Sequence, residues 1–287
     1  MGIRNILFNG VYNLYSFGIL KNSIHVISNE DTIEALINSN KSIVRFGDGE
    51  LALISGYDIP NQRASKELSD SLCRVLSSNN EDLLVALPDI FENMNQFVSS
   101  SQRFWKEHLF FHRRSYYKYC HNGTYYNAFM SRPYIIYTNK STQGLLFRNA
   151  KRIWNSQNVV IIEGNISHNG VGNDLFDNVG SLKRIICPGN NAFSRYEEIL
   201  SLCLNIPKDS LVLVSLGATG KPLIMDLFNA GYRVIDIGSL DMEYDWYLQG
   251  ATSKIHVPKH DIVTYEDNVA AGYTQYLEQI IATLPPS

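Results

Sequence analysis

The sequence predicts an α/β protein: a Rossmann-like open, mostly parallel sheet with helices on both faces, carrying an aromatic-rich helical insertion. Three observations point there. Short continuous apolar runs at 83–87, 159–162 and 211–216 have the composition of strands buried on both faces. Longer stretches of mixed polarity separate them, as in repeated βα units. Glycine-rich turns follow the runs at their carboxyl ends, where open α/β sheets place their ligands.

The chain begins with an apolar stretch, 1–20, that carries a single charge at Arg4. Asn5, Asn9, Gly10 and Asn13 interrupt any membrane span, and no small-residue cleavage site follows. Ile3, Leu7, Val11, Leu14 and Phe17 are close to helical spacing, which predicts an amphipathic helix that docks on the domain, on a partner or on a membrane surface. We therefore divide the chain into a docking segment (1–27), a main domain (28–250) with its insertion at about 97–137, and a tail (251–287). After a β-type run at 24–27, Ser28 to Asp31 offers capping residues for a helix through about Asn38.

Ser42-Ile43-Val44 reads as the next strand, and Arg45-Phe46-Gly47-Asp48-Gly49-Glu50 follows it. Gly47 and Gly49 let the backbone turn sharply or approach a ligand, so that Asp48 and Glu50 can face one point. Two hard oxygen ligands suit Mg²⁺ or Mn²⁺ and leave the remaining positions to water and a substrate's phosphates. A solvated turn before a helix starting near Leu51 is the alternative. A helix over about 61–76 leads to the strand at 83–87, which Pro88 stops.

Residues 97–137 mix aromatic and basic side chains. Such a mixture suits sugar stacking and anion binding, or else a helix with a core face and a solvated face. Tyr125, Tyr126, Ser131 and Arg132 are its candidates for such contacts. A helix then runs to about Trp154, and the strand 159–162 ends at Glu163-Gly164. The polar loop 165–174, with Gly170, Gly172 and Asn173, offers backbone N–H groups to a diphosphate. Another strand at 184–187 stops at Pro188-Gly189-Asn190-Asn191, and a helix spans 194–203.

The strand 211–216 is followed by Gly217-Ala218-Thr219-Gly220-Lys221-Pro222. Ser215 stands where a Walker loop needs Gly, and Pro222 where it needs a hydroxyl, so what survives is a helix to about Ala230 whose first N–H groups can hold an anion. The run 232–237 is the last strand before Gly238 to Trp246. In the tail, Pro258 lies between His256 and His260, which we read as surface residues, and a helix is expected over about 267–283.

Composition narrows the function. The chain has 287 residues and a net charge of −3, which argues against a general nucleic-acid binder. Cys73, Cys120, Cys187 and Cys203 form no CxxC pair or zinc spacing and read as reduced thiols. A cytoplasmic protein follows, with residues 1–20 as the segment able to touch the inner face of a membrane or a partner protein.

Five blocks in order, 45–50, 129–134, 162–164 with 170–176, 191–193, and 236–238 with 243–246, resemble the GT-D glycosyltransferases. The resemblance implies a metal-binding Asp-X-Glu motif, matched by Asp48 and Glu50, and transfer of a hexose such as glucose from a UDP-sugar. It implies a glycan or glycosylated protein acceptor in bacterial surface-glycan synthesis, and Tyr125, Tyr126, Ser131 and Arg132 of the insertion are expected to hold that acceptor. Donor contacts are expected from Arg45, Gly47, Gly49, Glu163, Gly164, Gly170, Gly172, Asn173, Asn191 and Thr219. Asp241, Glu243 and Asp245 are the carboxylates available as general base, or else as helix caps. Ser239 departs from the family pattern, which has His there, so a metal or phosphate contact at 239 would be weaker. A nucleotide-sugar isomerase or reductase would need a redox cofactor, and the missing GxGxxG counts against it. A non-catalytic nucleotide-sugar-binding protein is the other alternative.

Overall fold

The computed structural model describes residues 3–260 and 272–285. In chain order the elements are α1 (Ile3–Ser16), β1 (His25–Val26), α2 (Asn29–Ile37), β2 (Ser42–Arg45), α3 (Asp48–Ile54), α4 (Lys66–Leu76), β3 (Leu83–Leu87), α5 (Ser99–Tyr119), β4 (Thr124–Asn127), α6 (Gln143–Arg152), β5 (Asn158–Gly164), β6 (Ser181–Cys187), α7 (Tyr196–Cys203), β7 (Leu211–Ser215), α8 (Gly220–Asn229), β8 (Arg233–Asp236), α9 (Leu240–Leu248), α10 (Tyr273–Gln279) and β9 (Ile280–Thr283). The nine strands form one sheet in the order β1-β4-β3-β2-β8-β7-β5-β6-β9. Each neighbouring pair is parallel.

Burial explains why the apolar runs are strands. Every residue of β3 is buried, as are Leu211 to Val214 of β7, because helices cover both faces and leave no solvent side for a polar alternation. Each such Leu or Val side chain, fully buried, contributes roughly 1.5–3 kcal/mol. Ser28 caps α2 by accepting a hydrogen bond from Asp31 N, as its position before the helix predicts.

Two elements differ from the sequence expectation. The aromatic segment is helical over α5, but that helix is the crossover from β3 to the parallel strand β4, so residues 124–127 rejoin the sheet. Its aromatics divide by face: Trp105 and Tyr116 are buried, whereas Phe104 and Phe111 are exposed. Near the end of the chain, Ile280–Thr283 pairs with β6 as a strand instead of extending the helix. The first part of that expected helix, 267–271, lies outside the described residues. Helix α1 docks on the domain, the first of its expected alternatives: it lies on α5, with the Phe8 ring 5.0 Å from Phe110 and the Arg113 guanidinium 3.8 Å from the centre of the Tyr15 ring. Among the described residues no helix is long and apolar enough to cross a membrane.

Candidate active site

A cavity of about 460 Å³ opens at the carboxyl ends of β2, β8, β7 and β5. Strands β2 and β8 neighbour each other at the centre of the sheet although residues 45 and 236 are 191 positions apart. Chain segments from both halves leave the sheet there in different directions, which creates the crevice.

Arg45, the last residue of β2, ties this centre together. Its backbone N–H and Nη2 donate to the Asp236 carboxylate at 3.0 and 2.7 Å, Nε donates to the Asp236 carbonyl at 2.8 Å, and Nη1 donates to the Ala128 carbonyl at 3.1 Å. Most of the guanidinium fork is thus committed to the sheet, and Arg45 forms cavity wall more than a free phosphate donor. Gly238 follows from it: φ is +43°, and a Cβ there would fall inside the guanidinium.

Lys221, near the start of α8, is the cation that sequence reasoning missed. Its Nζ lies 2.7 Å from Asp236 Oδ2 and 3.7 Å from Glu50 Oε1, in the wall of the cavity. Burial pushes the Asp236 carboxyl up, but the Arg45 and Lys221 charges prevail and hold it below its usual range. The helix start singled out in the sequence does face the cavity, through Gly217, Ala218 and Lys221.

Asp48 and Glu50 both line the cavity, but their situations differ. Glu50 Oε2 accepts the Gly47 N–H at 2.7 Å, closing the first turn of α3, while its other oxygen faces Lys221. Asp48 is exposed and has no hydrogen bond or ion pair among the described residues. A free carboxylate beside a second one with an oxygen to spare fits a hard divalent cation.

The other expected donor residues separate into lining and support. Gly47, Gly49 and Gly164 line the cavity; at Gly164 a Cβ would come within 2.9 Å of the Gly189 backbone. Glu163 does not reach it. Buried, it accepts from Arg184 Nη1 at 2.6 Å and from Asn169 N and Nδ2 at 2.8 and 2.7 Å, fixing the loop whose Ser167 and Asn169 do line the cavity. Gly170 and Gly172 turn away with positive φ, and Asn173 Nδ2 donates to Asp241 and Asp245 at 2.8 Å each. Asn191 accepts from Gln62 Nε2 at 2.9 Å and the Thr219 hydroxyl donates to Gln62 Oε1 at 3.1 Å. Both therefore brace the segment that brings Ile59, Pro60 and Asn61 to the cavity.

The carboxylates expected as base are buried supports. Glu243 Oε2 accepts from Tyr134 N at 3.0 Å and Ile135 N at 2.8 Å, and it does not line the cavity as its neighbours Met242 and Ser239 do. Asp241 and Asp245 receive the Lys259 ammonium at 2.8 and 2.9 Å, and Lys259 also donates to the Val171 carbonyl at 2.8 Å. Asp241, Asp245 and His260 are a possible metal-binding triad by position, their ligand atoms lying within 4.8 Å of one another. Lys259 already supplies the cation between the two carboxylates. His260 is buried and lines the cavity, contrary to its expected surface position, with Nε2 3.3 Å from Asp241 and 3.2 Å from Asp245. Burial alone would lower its pKa, but the two carboxylates raise it to about 9. His256 is exposed.

Of the expected acceptor residues only Arg132 lines the cavity. Tyr125 is buried with its hydroxyl accepting from Asn122 N at 3.0 Å, and with Tyr126 it borders a separate hollow beside Leu83, at the amino end of β3. Ser131 is fully buried. The reason is directional: β4 emerges at the carboxyl edge of the sheet only after Asn127, so residues before that point face the wrong end. Trp105 of α5 does reach the cavity.

An open parallel sheet whose central crevice holds paired carboxylates, buried cations and a helix start is suited to binding an anionic, phosphate-bearing ligand. The chain belongs to the glycosyltransferase GT-D fold family, whose model matches residues 43–264. It is 39% identical over 270 residues to the "Probable glycosyl transferase Gly" of Streptococcus gordonii and 37% identical over 271 residues to "Glycosyltransferase GlyD" of Streptococcus pneumoniae serotype 4. Each match covers 91% of this chain but only 39% and 33% of the relative, so the chain spans well under half the length of the curated relatives it matches. A solved structure described as a highly conserved domain of unknown function 1792 with a distinct glycosyltransferase fold superposes with a TM-score of 0.87 at 36% identity, over 97% of this chain and 99% of that one. Another, described as a new glycosyltransferase from Streptococcus sanguinis, gives 0.86 at 36% identity, over 91% of this chain and 100% of that one.

Proposed function

We propose that this chain transfers a hexose, with glucose the first choice, from a UDP-sugar to a glycan or glycosylated protein acceptor in bacterial surface-glycan synthesis. The observation that carries the reading is the Asp48 carboxylate, unpartnered among the described residues, beside Glu50 in a cavity that also holds Lys221 and the start of α8. In the reaction an acceptor hydroxyl oxygen bonds to the anomeric carbon, the bond from that carbon to the diphosphate oxygen breaks, UDP leaves with the electron pair, and the hydroxyl proton passes to water. Asp48 and Glu50 would hold Mn²⁺ or Mg²⁺, which when bound neutralises charge developing on the leaving diphosphate. Lys221 and the N–H groups at the start of α8 add fixed positive potential on the same side. The Gly47, Gly49 and Gly164 backbones admit the diphosphate closely, and Arg132 and Trp105 border the space left for an acceptor.

The test is UDP titration by calorimetry with Mn²⁺. Asp48→Asn keeps the volume and removes one anionic ligand, so affinity should fall by at least about 100-fold, on the order of 3 kcal/mol, at an unchanged melting temperature. Wild-type affinity in the variant would overturn the metal site. Release of glucose from UDP-glucose by the wild type tests the donor.

A further inference from the structure

Helix α1 has two apolar faces, and only one is covered. Phe8 and Tyr12 point inward, Phe8 onto Phe110 and Phe111, and Tyr12 with its hydroxyl on the Glu92 carbonyl and the Lys106 ammonium over its ring. The opposite side carries Ile6, Leu7 and Leu14, spaced as one helical stripe, and Phe17, Ile19 and Leu20, in the turn just past the helix end, extend the exposed apolar surface. Phe17 is 75% and Ile19 68% exposed, far beyond the scattered apolar residues normal on a soluble surface.

The same surface is basic in a chain of net charge −3. No Asp or Glu occurs before Glu30, while Arg4 and Lys21 flank the stripe and are exposed. On α5, Arg103, Phe111, Arg114 and Lys118 recur at helical spacing on the side bordering α1 and are exposed. Glu107 is the acid interspersed among them, and Glu92 nearby is paired with His25. Apolar side chains fringed by cations on a helix too short to span are the composition of a surface that seats at a lipid headgroup layer, where each cation gains from anionic lipid.

We propose that the α1–α5 face docks on an anionic membrane surface, burying the Phe17–Leu20 end of the stripe among the headgroups. The charge complementarity selects this occupant over a second copy of the chain, whose identical basic fringe would face itself across a two-fold axis. Because α5 also lends Trp105 to the cavity wall, docking sets the cavity at a fixed height above the membrane.

Flotation of the full chain with vesicles tests this. It should float with phosphatidylcholine vesicles containing about one third phosphatidylglycerol, and at least about ten-fold more weakly with phosphatidylcholine alone or in about 0.5 M salt. The double variant Phe17→Ser/Ile19→Ser should lose about ten-fold or more of this binding with an unchanged circular dichroism spectrum. Arg114→Glu/Lys118→Glu, which leaves the stripe intact, should lose as much. Absence of flotation with the anionic vesicles, or equal flotation by wild type and both variants, would overturn the proposal. So would light scattering that finds a wild-type dimer and a monomeric Phe17→Ser/Ile19→Ser variant, since the stripe would then be a contact between copies.

Discussion

The ammonium of Lys221 stands 2.7 Å from Oδ2 of Asp236, and both side chains are almost wholly buried beneath the cavity. Lys221→Met should cost stability, about 2–4 kcal/mol, because Asp236 is left with Arg45 alone to balance its charge. Adding Asp236→Asn should recover part of that loss in urea unfolding. UDP affinity should stay at least about ten-fold below wild type in both variants, since neither restores a cation to the cavity. Recovery of affinity along with stability would make Lys221 a structural residue only.

Glu243 is expected to matter to folding. Glu243→Ala removes the acceptor for two buried N–H groups, Tyr134 and Ile135, and should destabilise by about 2–4 kcal/mol. Donor turnover per folded molecule should stay within about two-fold of wild type. A collapse of turnover at unchanged stability would give Glu243 back the role of general base.

The cluster around His260 sets a pH dependence. Its folded pKa, about 9, lies above the ordinary 6.5, so its stabilisation is complete below about 6.5 and is lost as pH rises through 9. Asp241 is shifted the other way: burial opposes ionisation, but Lys259 and His260 hold its carboxyl well below the usual range. Its contribution is present above the ordinary value of 3.8 and is lost only as pH falls through the depressed one. Melting curves should therefore fall between about pH 7 and pH 10, and His260→Gln should remove that slope, a difference on the order of 3 kcal/mol. Parallel curves for wild type and variant would exclude the coupling.

Ser239 lines the cavity at the head of α9. If it faces the diphosphate, Ser239→His should tighten UDP binding with Mn²⁺ at about pH 7.5 and lose the gain at about pH 5.5, as protonation removes the ligating lone pair. A variant equal to wild type at both pH values would place residue 239 outside the contact shell.

Much of the sheet was legible in the sequence because strands buried on both faces leave continuous apolar runs, as at 83–87 and 211–215. The placing of Asp48 and Glu50 just beyond β2 could be read for the same reason. Strand β4 could not, since Thr124–Asn127 is short, aromatic and adjoins a long helix with no run of its own. Strand β9 was hidden because Ile280 follows α10 with no turn residue between. Lys221 gave a signal, in the segment that fails as a Walker loop, but its meaning depends on β7 and β8 lying beside β2. The burial of Glu243, Asp241 and His260 likewise rests on partners distant in sequence, Ile135, Asn173 and Lys259 among them, which no local pattern predicts.

The parallel sheet also orders events in time. With no hairpin among its pairings, each strand must await a crossover, and β2 acquires its neighbour β8 only when residues 233–236 have been made. Until then Arg45 lacks Asp236, Lys221 lacks the same partner, and the crevice has one wall. On a ribosome, the cavity is completed only after His260, which also lines it, has emerged. A nascent chain stalled short of β8 therefore exposes the unpaired edge of β2 with no site beside it, and is a substrate for chaperones before it can carry out catalysis.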